Sequence, residues 1–343
     1  MKNIVIYPYY ADNPYQNMIE SNIGIDDVNF INIQFKDIAN IICYLIGIKQ
    51  TDIIHFHWVN NVTQTRNPIA SILLTFLFSM ALIFNYFFVK AIVCYTMHNR
   101  RSHYKKLVFL DRIFTIFVVF FSQYVIVHAE FQRKYVNIKF RKKMTNIIVM
   151  KHGVYDLPCL QTSEKIVSAA DIPVFLYFGR ISEYKNLLEV AGIIARQNCK
   201  LIILGKCTSA SITTELSTLM DKSPNQIEWE NREFTEADLI LKSHKADYIV
   251  LPQPEVFTSG SAMLALSLGK PILAHQSEFY TEIFGKCIVQ YNQVKCLERM
   301  DTYLSALNKT RVDDLKLLEA EYKWSRTIVP LRNIYMNILC LQD

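Results

Sequence analysis

No CxxC pair occurs among the eight cysteines of this 343-residue chain. They lie mostly in apolar strand-like or helix-like runs, at positions 43, 94, 159, 199, 207, 287, 296 and 340. They read as reduced, buried small hydrophobes of a cytoplasmic protein, and their spacing speaks against zinc. A signal peptide is lacking too. The opening KNIVIYP is a strand after one lysine, without an apolar h-region or a small-residue cleavage site. Acidic residues are scarce in one long segment, where between residues 90 and 151 only Asp111 and Glu130 stand against thirteen Lys or Arg. Such an imbalance draws anionic partners, either nucleic acid or an anionic membrane face. The cations are not interleaved with a nucleic-acid reading motif, which argues against nucleic acid.

Apolar residues are abundant. They make up 51% of the chain, and the mean hydropathy is +0.13. The longest uncharged stretch is residues 68–89, PIASILLTFLFSMALIFNYFFV, adjacent to the basic segment. Its length is enough to cross a hydrocarbon core of about 30 Å. A strand-like run, Ala91 to Met97, follows at once, and a true span would carry that run away from its sheet neighbours. The stretch therefore reads as a helix with one face on a sheet and the other sunk in the cytoplasmic leaflet of a membrane, peripherally and monotopically. The run Ile113 to Val127 is shorter and ends in a strand, so it reads as a core helix plus strand.

The length suffices for two domains with full cores. In the first half, strand-like runs (Ile4–Tyr7, Phe30–Phe35, Ile53–His57, Ala91–Met97, Tyr124–His128, Ile147–Met150) alternate with helical or loop material. Residues 158–172 lose periodicity between prolines and read as a linker. The alternation then resumes with Val174–Phe178, Lys200–Leu204, Gln226–Trp229, Tyr248–Leu251, Pro271–Ala274 and Cys287–Gln290. Such alternation is the pattern of doubly wound α/β sheets.

Two stretches of the second half carry chemistry. In VFLYFGRISEYK (174–185) a buried-type strand ends at Gly179, with Arg180 and Lys185 at the mouth of the next helix. Ligands of open α/β sheets bind outside the carboxyl ends of the strands, so these two cations suit a nucleotide's diphosphate. In residues 246–275 a strand leads through an acidic loop with Glu255 to Thr258-Ser259-Gly260-Ser261, a helix, Gly269 and another strand. Hydroxyls and a glycine before a helix cap it and leave backbone N–H groups facing an anion.

The first half places histidines at four strand ends: His55 and His57, His98 with His103, His128, and His152. His55 and His57 alternate along one strand and so face one side.

Gly-Arg with Lys five residues on, the Glu-containing loop, the Ser-Gly helix start and the Gly-x-Pro strand together resemble the donor half of a GT-B glycosyltransferase. The nearest group is the family-4-like bacterial cell-surface polysaccharide glycosyltransferases. The resemblance implies two Rossmann-like doubly wound domains facing each other across a cleft. Residues 1–157 would bind the acceptor, 173–318 the nucleotide sugar, and 319–343 would form a helix crossing back to the first domain. It also implies donor contacts from Arg180, Lys185, Glu255, Thr258, Ser259, Gly260 and Ser261. The HN-x3-H pattern is similar to the acceptor-side motif of this group, pointing to His98, then His103, as the base of an inverting reaction. Asn13, Tyr15, His57 and Asn99 are the expected acceptor contacts. The family's second glutamate is replaced by Leu264, and Glu255 sits one residue early.

The function implied is transfer of a hexose from a UDP- or GDP-sugar to a glycan or polyprenol-linked acceptor, at the cytoplasmic face of the inner membrane. Neither metal nor cofactor is expected, because cations and helix ends neutralise the diphosphate. A nucleotide-sugar epimerase on the same scaffold and a noncatalytic GT-B subunit are the alternatives.

Overall fold

The computed structural model describes residues 2–65, 67–100, 107–157 and 172–340. His103 and residues 158–171 of the expected linker lie outside the described residues. Two compact units divide the chain: residues 1–152 with 324–343, and residues 153–323.

The first unit is a six-stranded sheet of β1 (Lys2–Tyr9), β2 (Val28–Gln34), β3 (Ile53–Phe56), β4 (Ile92–Thr96), β5 (Tyr124–Val127) and β6 (Ile147–Val149). Every pairing is parallel, in the order β2-β1-β3-β4-β5-β6. The central strands are continuous apolar runs because helices cover both faces of a parallel sheet. Ile4, Val5, Ile53, Ile54, Val93 and Val125 are all fully buried.

The second unit holds β7 (Val174–Phe178), β8 (Lys200–Leu204), β9 (Ile227–Glu230), β10 (Tyr248–Leu251), β11 (Ile272–His275) and β12 (Ile288–Tyr291). These too are parallel, in the order β12-β11-β10-β7-β8-β9. Counted within the unit this is the 3-2-1-4-5-6 order of the doubly wound fold, with its reversal between β7 and β10.

Residues 68–89 form a helix, Pro68–Phe84, prolonged by a π-helical turn, Asn85–Val89. Asn67 caps it by accepting from the N–H groups of Ile69 and Ala70, and Pro68 occupies the first turn, where its missing N–H costs nothing. Lys90, left-handed at φ 63°, ends it. The expected core helix is Val108–Phe121, and one of its faces is exposed, contrary to the reading from sequence. The tail is three helices, not one: Val312–Glu321, Trp324–Thr327 and Val329–Cys340. Pro330 stands in the first turn of the last and so restarts the chain there.

At the carboxyl edge of the second sheet, the ends of β7 and β8 approach too closely for side chains. A Cβ on Gly205 would lie 2.0 Å from the Gly179 carbonyl oxygen. Gly205→Ala must therefore spread the two strand ends. We expect it to cost about 2–4 kcal/mol of stability, read from the urea midpoint; an unchanged midpoint would show that the approach is not constraining.

Candidate functional site

The strand order brings the two chemical stretches of the second unit together. β7 and β10 are neighbours, paired Tyr248 with Phe175 and Ile249 with Leu176. The chain leaving β7 is the Gly179 turn, and the chain leaving β10 leads to the helix Gly260–Ser267. Gly179, at φ +115°, holds a conformation open to glycine. A Cβ there would stand 3.6 Å from Ser261 Oγ, so turn and helix start lie side by side.

Arg180 emerges exposed from the turn, its carbonyl accepting from the Tyr177 hydroxyl at 3.0 Å. Lys185 ends a 3-10 turn, Glu183–Lys185, and is half-buried. Neither side chain has a carboxylate at ion-pair distance among the described residues. Loss of hydration pulls the Lys185 ammonium down to about 8. Beside the Gly179 turn, Ser259 caps the helix by accepting from Ala262 N–H at 3.1 Å. Helix geometry leaves the N–H groups of Gly260 and Ser261 over, at the positive end of the dipole. Buried Tyr280, from the helix Glu278–Phe284, stands near Ser259, and burial raises its phenol well above the ordinary value. Thr258 is half-buried in the same loop. Glu255 is exposed, with its carbonyl accepting from Gln253 Nε2 at 2.8 Å. Leu264 is half-buried in the helix.

In the first unit the strand ends gather a buried group of imidazoles and aromatics. His55, His57, His98, His128 and His152 are all at most 7% exposed. His55 and His57 stack at 4.3 Å between ring centres, as their alternation on β3 requires. His57 Nδ1 meets His98 Nε2 at 3.2 Å, and Trp58 stacks on His98 at 4.1 Å. Tyr15 sits at the centre, 4.9 Å from His98, 5.4 Å from His128 and 5.0 Å from His152. The C-terminal helices complete the group. Trp324 lies 5.6 Å from Tyr15, and the Tyr335 hydroxyl bonds His55 Nδ1 at 2.5 Å while Thr96 Oγ1 bonds its Nε2 at 2.7 Å.

Tyr15 and His57 are thus interior residues of this group. Asn13 caps the helix Pro14–Asn22, accepting from Tyr15 N–H at 3.0 Å, and Asn99 is half-buried beside His98. Trp58 and Tyr335 are the members that reading the sequence did not single out, and Trp324 is the aromatic residue it noted in the C-terminal helical tail. No group of three His, Cys, Asp or Glu among the described residues has the geometry to hold a metal ion.

Burial depresses these histidines first, and their mutual repulsion adds to it for His57, His98 and His128. His55 and His128 fall to about 3, and His57 and His98 fall well below the ordinary value. His128 directs Nδ1 at the Met150 carbonyl, 2.7 Å away, which fixes its proton there and leaves Nε2 buried without a partner. All four are neutral at pH 7. His98 then carries the lone pair a base requires, although the same burial weakens its proton affinity.

No protein-family model matches this chain, and no curated protein matches it. Solved structures do. HepE of Anabaena, in complex with UDP and glucose, superposes with a TM-score of 0.71 at 12% identity, covering 98% of this chain and 100% of that one. Sucrose-phosphate synthase of Thermosynechococcus elongatus gives 0.73 at 11% identity, over 99% and 100%. The lipopolysaccharide outer core galactosyltransferase WaaB gives 0.65 at 12%, over 98% and 99%. Such identities establish a shared fold. The chain has the GT-B, glycosyltransferase-like fold of two six-stranded parallel sheets with flanking helices.

The depressed histidines fix the sign of a pH dependence. The unfolded chain binds protons near pH 6.5 and the folded chain does not, so stability is full above that value and falls as pH drops below it. Each such histidine should cost about 1.4 kcal/mol by pH 5.5, with loss continuing toward pH 3. Urea unfolding of the whole chain between pH 7.5 and 5 checks this; a flat profile would mean that the imidazoles protonate without penalty.

Proposed function

We propose that this chain is a glycosyltransferase that moves a hexose from a UDP- or GDP-linked donor to a glycan or polyprenol-linked acceptor in bacterial surface polysaccharide assembly. The observation that carries the reading is the juxtaposition of two unpaired cations with a capped helix start at the switch point of the second sheet. Charge develops on the leaving diphosphate as the sugar departs, and preorganised donors aimed at that charge lower the barrier. Arg180 offers a planar fork to phosphate oxygens, Lys185 a point charge, and the amides of Gly260 and Ser261 two further donors. Thr258 and Ser259 shape the same loop, and Glu255 orients the ribose or the donor sugar.

Uridine is favoured as the base, since HepE has been seen with UDP, with UDP and glucose, and with UDP-glucose. The first unit supplies the acceptor side. His98, its ring held by Trp58 and His57, takes the acceptor proton if the reaction inverts the anomeric centre, and otherwise binds the acceptor hydroxyl. In this reading the half-exposed Asn13 and Asn99 touch the acceptor directly, and Tyr15 and His57 hold the ring in place. The reaction uses no metal.

Thermal stability in a concentration series of UDP and, separately, GDP tests the donor assignment. A ligand at a hundredfold excess over its Kd adds about 2.7 kcal/mol to folding. One nucleotide should raise Tm, and the shift should shrink in Arg180→Ala and in Lys185→Ala while the unliganded Tm stays put. Equal shifts in both variants would remove the diphosphate from this site. Nucleotide affinity should also decline above about pH 8, where free Lys185 loses its proton. That decline should disappear in Lys185→Met; its persistence would assign it to another group.

A further inference from the structure

The helices Pro68–Phe84 and Val108–Phe121 of the first unit are apolar on their outer faces as well as their inner ones, and polar Ser71, Thr75, Asp111 and Thr115 are turned inward. On the first, small polar Ser71 and Thr75 are turned inward and buried, while Ile69 and Phe76 stand 75% and 60% exposed. Thr75 closes its hydroxyl on the Ser71 carbonyl at 2.6 Å, and Ser71 Oγ accepts from Thr65 N–H at 3.0 Å. On the second, Asp111 and Thr115 are buried, with Asp111 Oδ1 accepting from Thr63 Oγ1 at 3.1 Å. Its outer face shows Phe109 at 77% and Phe120 at 66% exposed.

The two helices form one continuous surface. Phe78 meets Phe114 edge-on at 5.6 Å, and Tyr86 meets Phe121 at 5.4 Å, so the helices lie side by side with their carboxyl ends together. Cations gather at that end. Lys90 follows the first helix and is exposed, as are Arg141 and Lys143, and Lys142 donates to the carbonyls of Phe120 and Ser122 at the end of the second. The acid of the second helix, Asp111, faces inward, so its outer face bears Arg112 without a counter-charge on that helix.

We infer that this two-helix face is a docking surface for an anionic lipid leaflet, with the apolar side chains in the acyl boundary and the basic rim at the headgroups. Large apolar side chains outside and small polar ones inside suit hydrocarbon and penalise contact with water. Crossing the bilayer is ruled out by the chain itself, because β4 begins two residues after Lys90 and pairs with β3 and β5. A second copy of the chain is the poorer occupant. A two-fold contact of this face offers its basic rim no anionic counterpart from these two helices, whose one acid, Asp111, is buried, whereas an anionic surface complements it. The inference stands on the first unit alone and does not depend on the donor site.

The test is flotation of the whole chain with vesicles of phosphatidylglycerol and phosphatidylcholine, compared with pure phosphatidylcholine. The chain should float with the anionic vesicles and partition onto the neutral ones about tenfold less, with only partial release in high salt. Ile69→Glu combined with Phe76→Glu, both on exposed positions, should reduce partitioning about tenfold or more. Lys90→Glu with Arg141→Glu and Lys143→Glu should abolish the preference for anionic lipid. An unliganded Tm and a UDP response like those of the parent chain confirm that the variants fold. The inference is overturned if the parent chain stays unbound on anionic vesicles, or if the Ile69→Glu, Phe76→Glu chain floats as well as the parent. It is equally overturned if sedimentation equilibrium finds a dimer that this variant converts to monomer. Loss of the UDP response in the parent chain, with flotation intact, would count against the donor site and leave the membrane surface standing.

Discussion

The backbone contact between the ends of β7 and β8 sets the geometry on which the donor site rests. Gly179 N–H donates to the Leu204 carbonyl at 3.0 Å, and Gly205 N–H to the Glu230 carbonyl at 3.2 Å. With the strand ends locked this closely, only glycine fits at Gly205. Gly179 can then turn at positive φ, so that the chain emerges beside Ser261 instead of continuing the strand. Arg180 and Lys185 follow from that turn. The helix start arrives from the other side because the sheet reverses order between β7 and β10. Backbone closure, strand order and helix end thereby bring together the parts of the proposed anion site, and its two cations have no carboxylate at ion-pair distance among the described residues.

The first unit adds buried polar groups and exposed apolar faces to an ordinary apolar core. Its interior at the carboxyl edge holds five imidazoles, of which His55, His57, His98 and His128 are kept neutral by burial, and its helices Pro68–Phe84 and Val108–Phe121 turn hydroxyls and a carboxylate inward. Both arrangements cost stability in water. Burying a polar group is tolerable only when it is hydrogen-bonded, and here Thr96, Tyr335, Met150, Thr63 and Ser71 provide the partners. A membrane-facing exterior would relieve the apolar half of that cost, and an acceptor at the strand ends would use the polar half. The two features are the ones on which the proposed transfer to a lipid-linked acceptor relies.

Much of the fold was legible because a parallel sheet writes itself as short apolar runs broken by turns. The run Val174–Phe178 became β7 with the same limits, and Tyr248–Leu251 became β10; others moved by a residue or two, as Gln226–Trp229 did in becoming Ile227–Glu230. The Gly179 turn, the cations after it and the Ser259 helix cap were legible for the same reason, since strand, glycine, charge and capping hydroxyl are all local signals. What escaped was non-local. His55 and Tyr335 are 280 residues apart, and nothing near either announces their hydrogen bond. The sense of the second apolar helix escaped too. Ile113–Val127 joins a helix and a strand in one apolar run, and whether Asp111 points inward is decided by Thr63, 48 residues earlier.

The central claim is that a nucleoside diphosphate is held at the switch point of the second sheet. A crystal structure of the chain with UDP tests it most directly. The account predicts the diphosphate between the Gly179 turn and the helix start, with its oxygens on Arg180, Lys185 and the N–H groups of Gly260 and Ser261. A nucleotide bound with its phosphates elsewhere in the chain, leaving those two cations unoccupied, would contradict it.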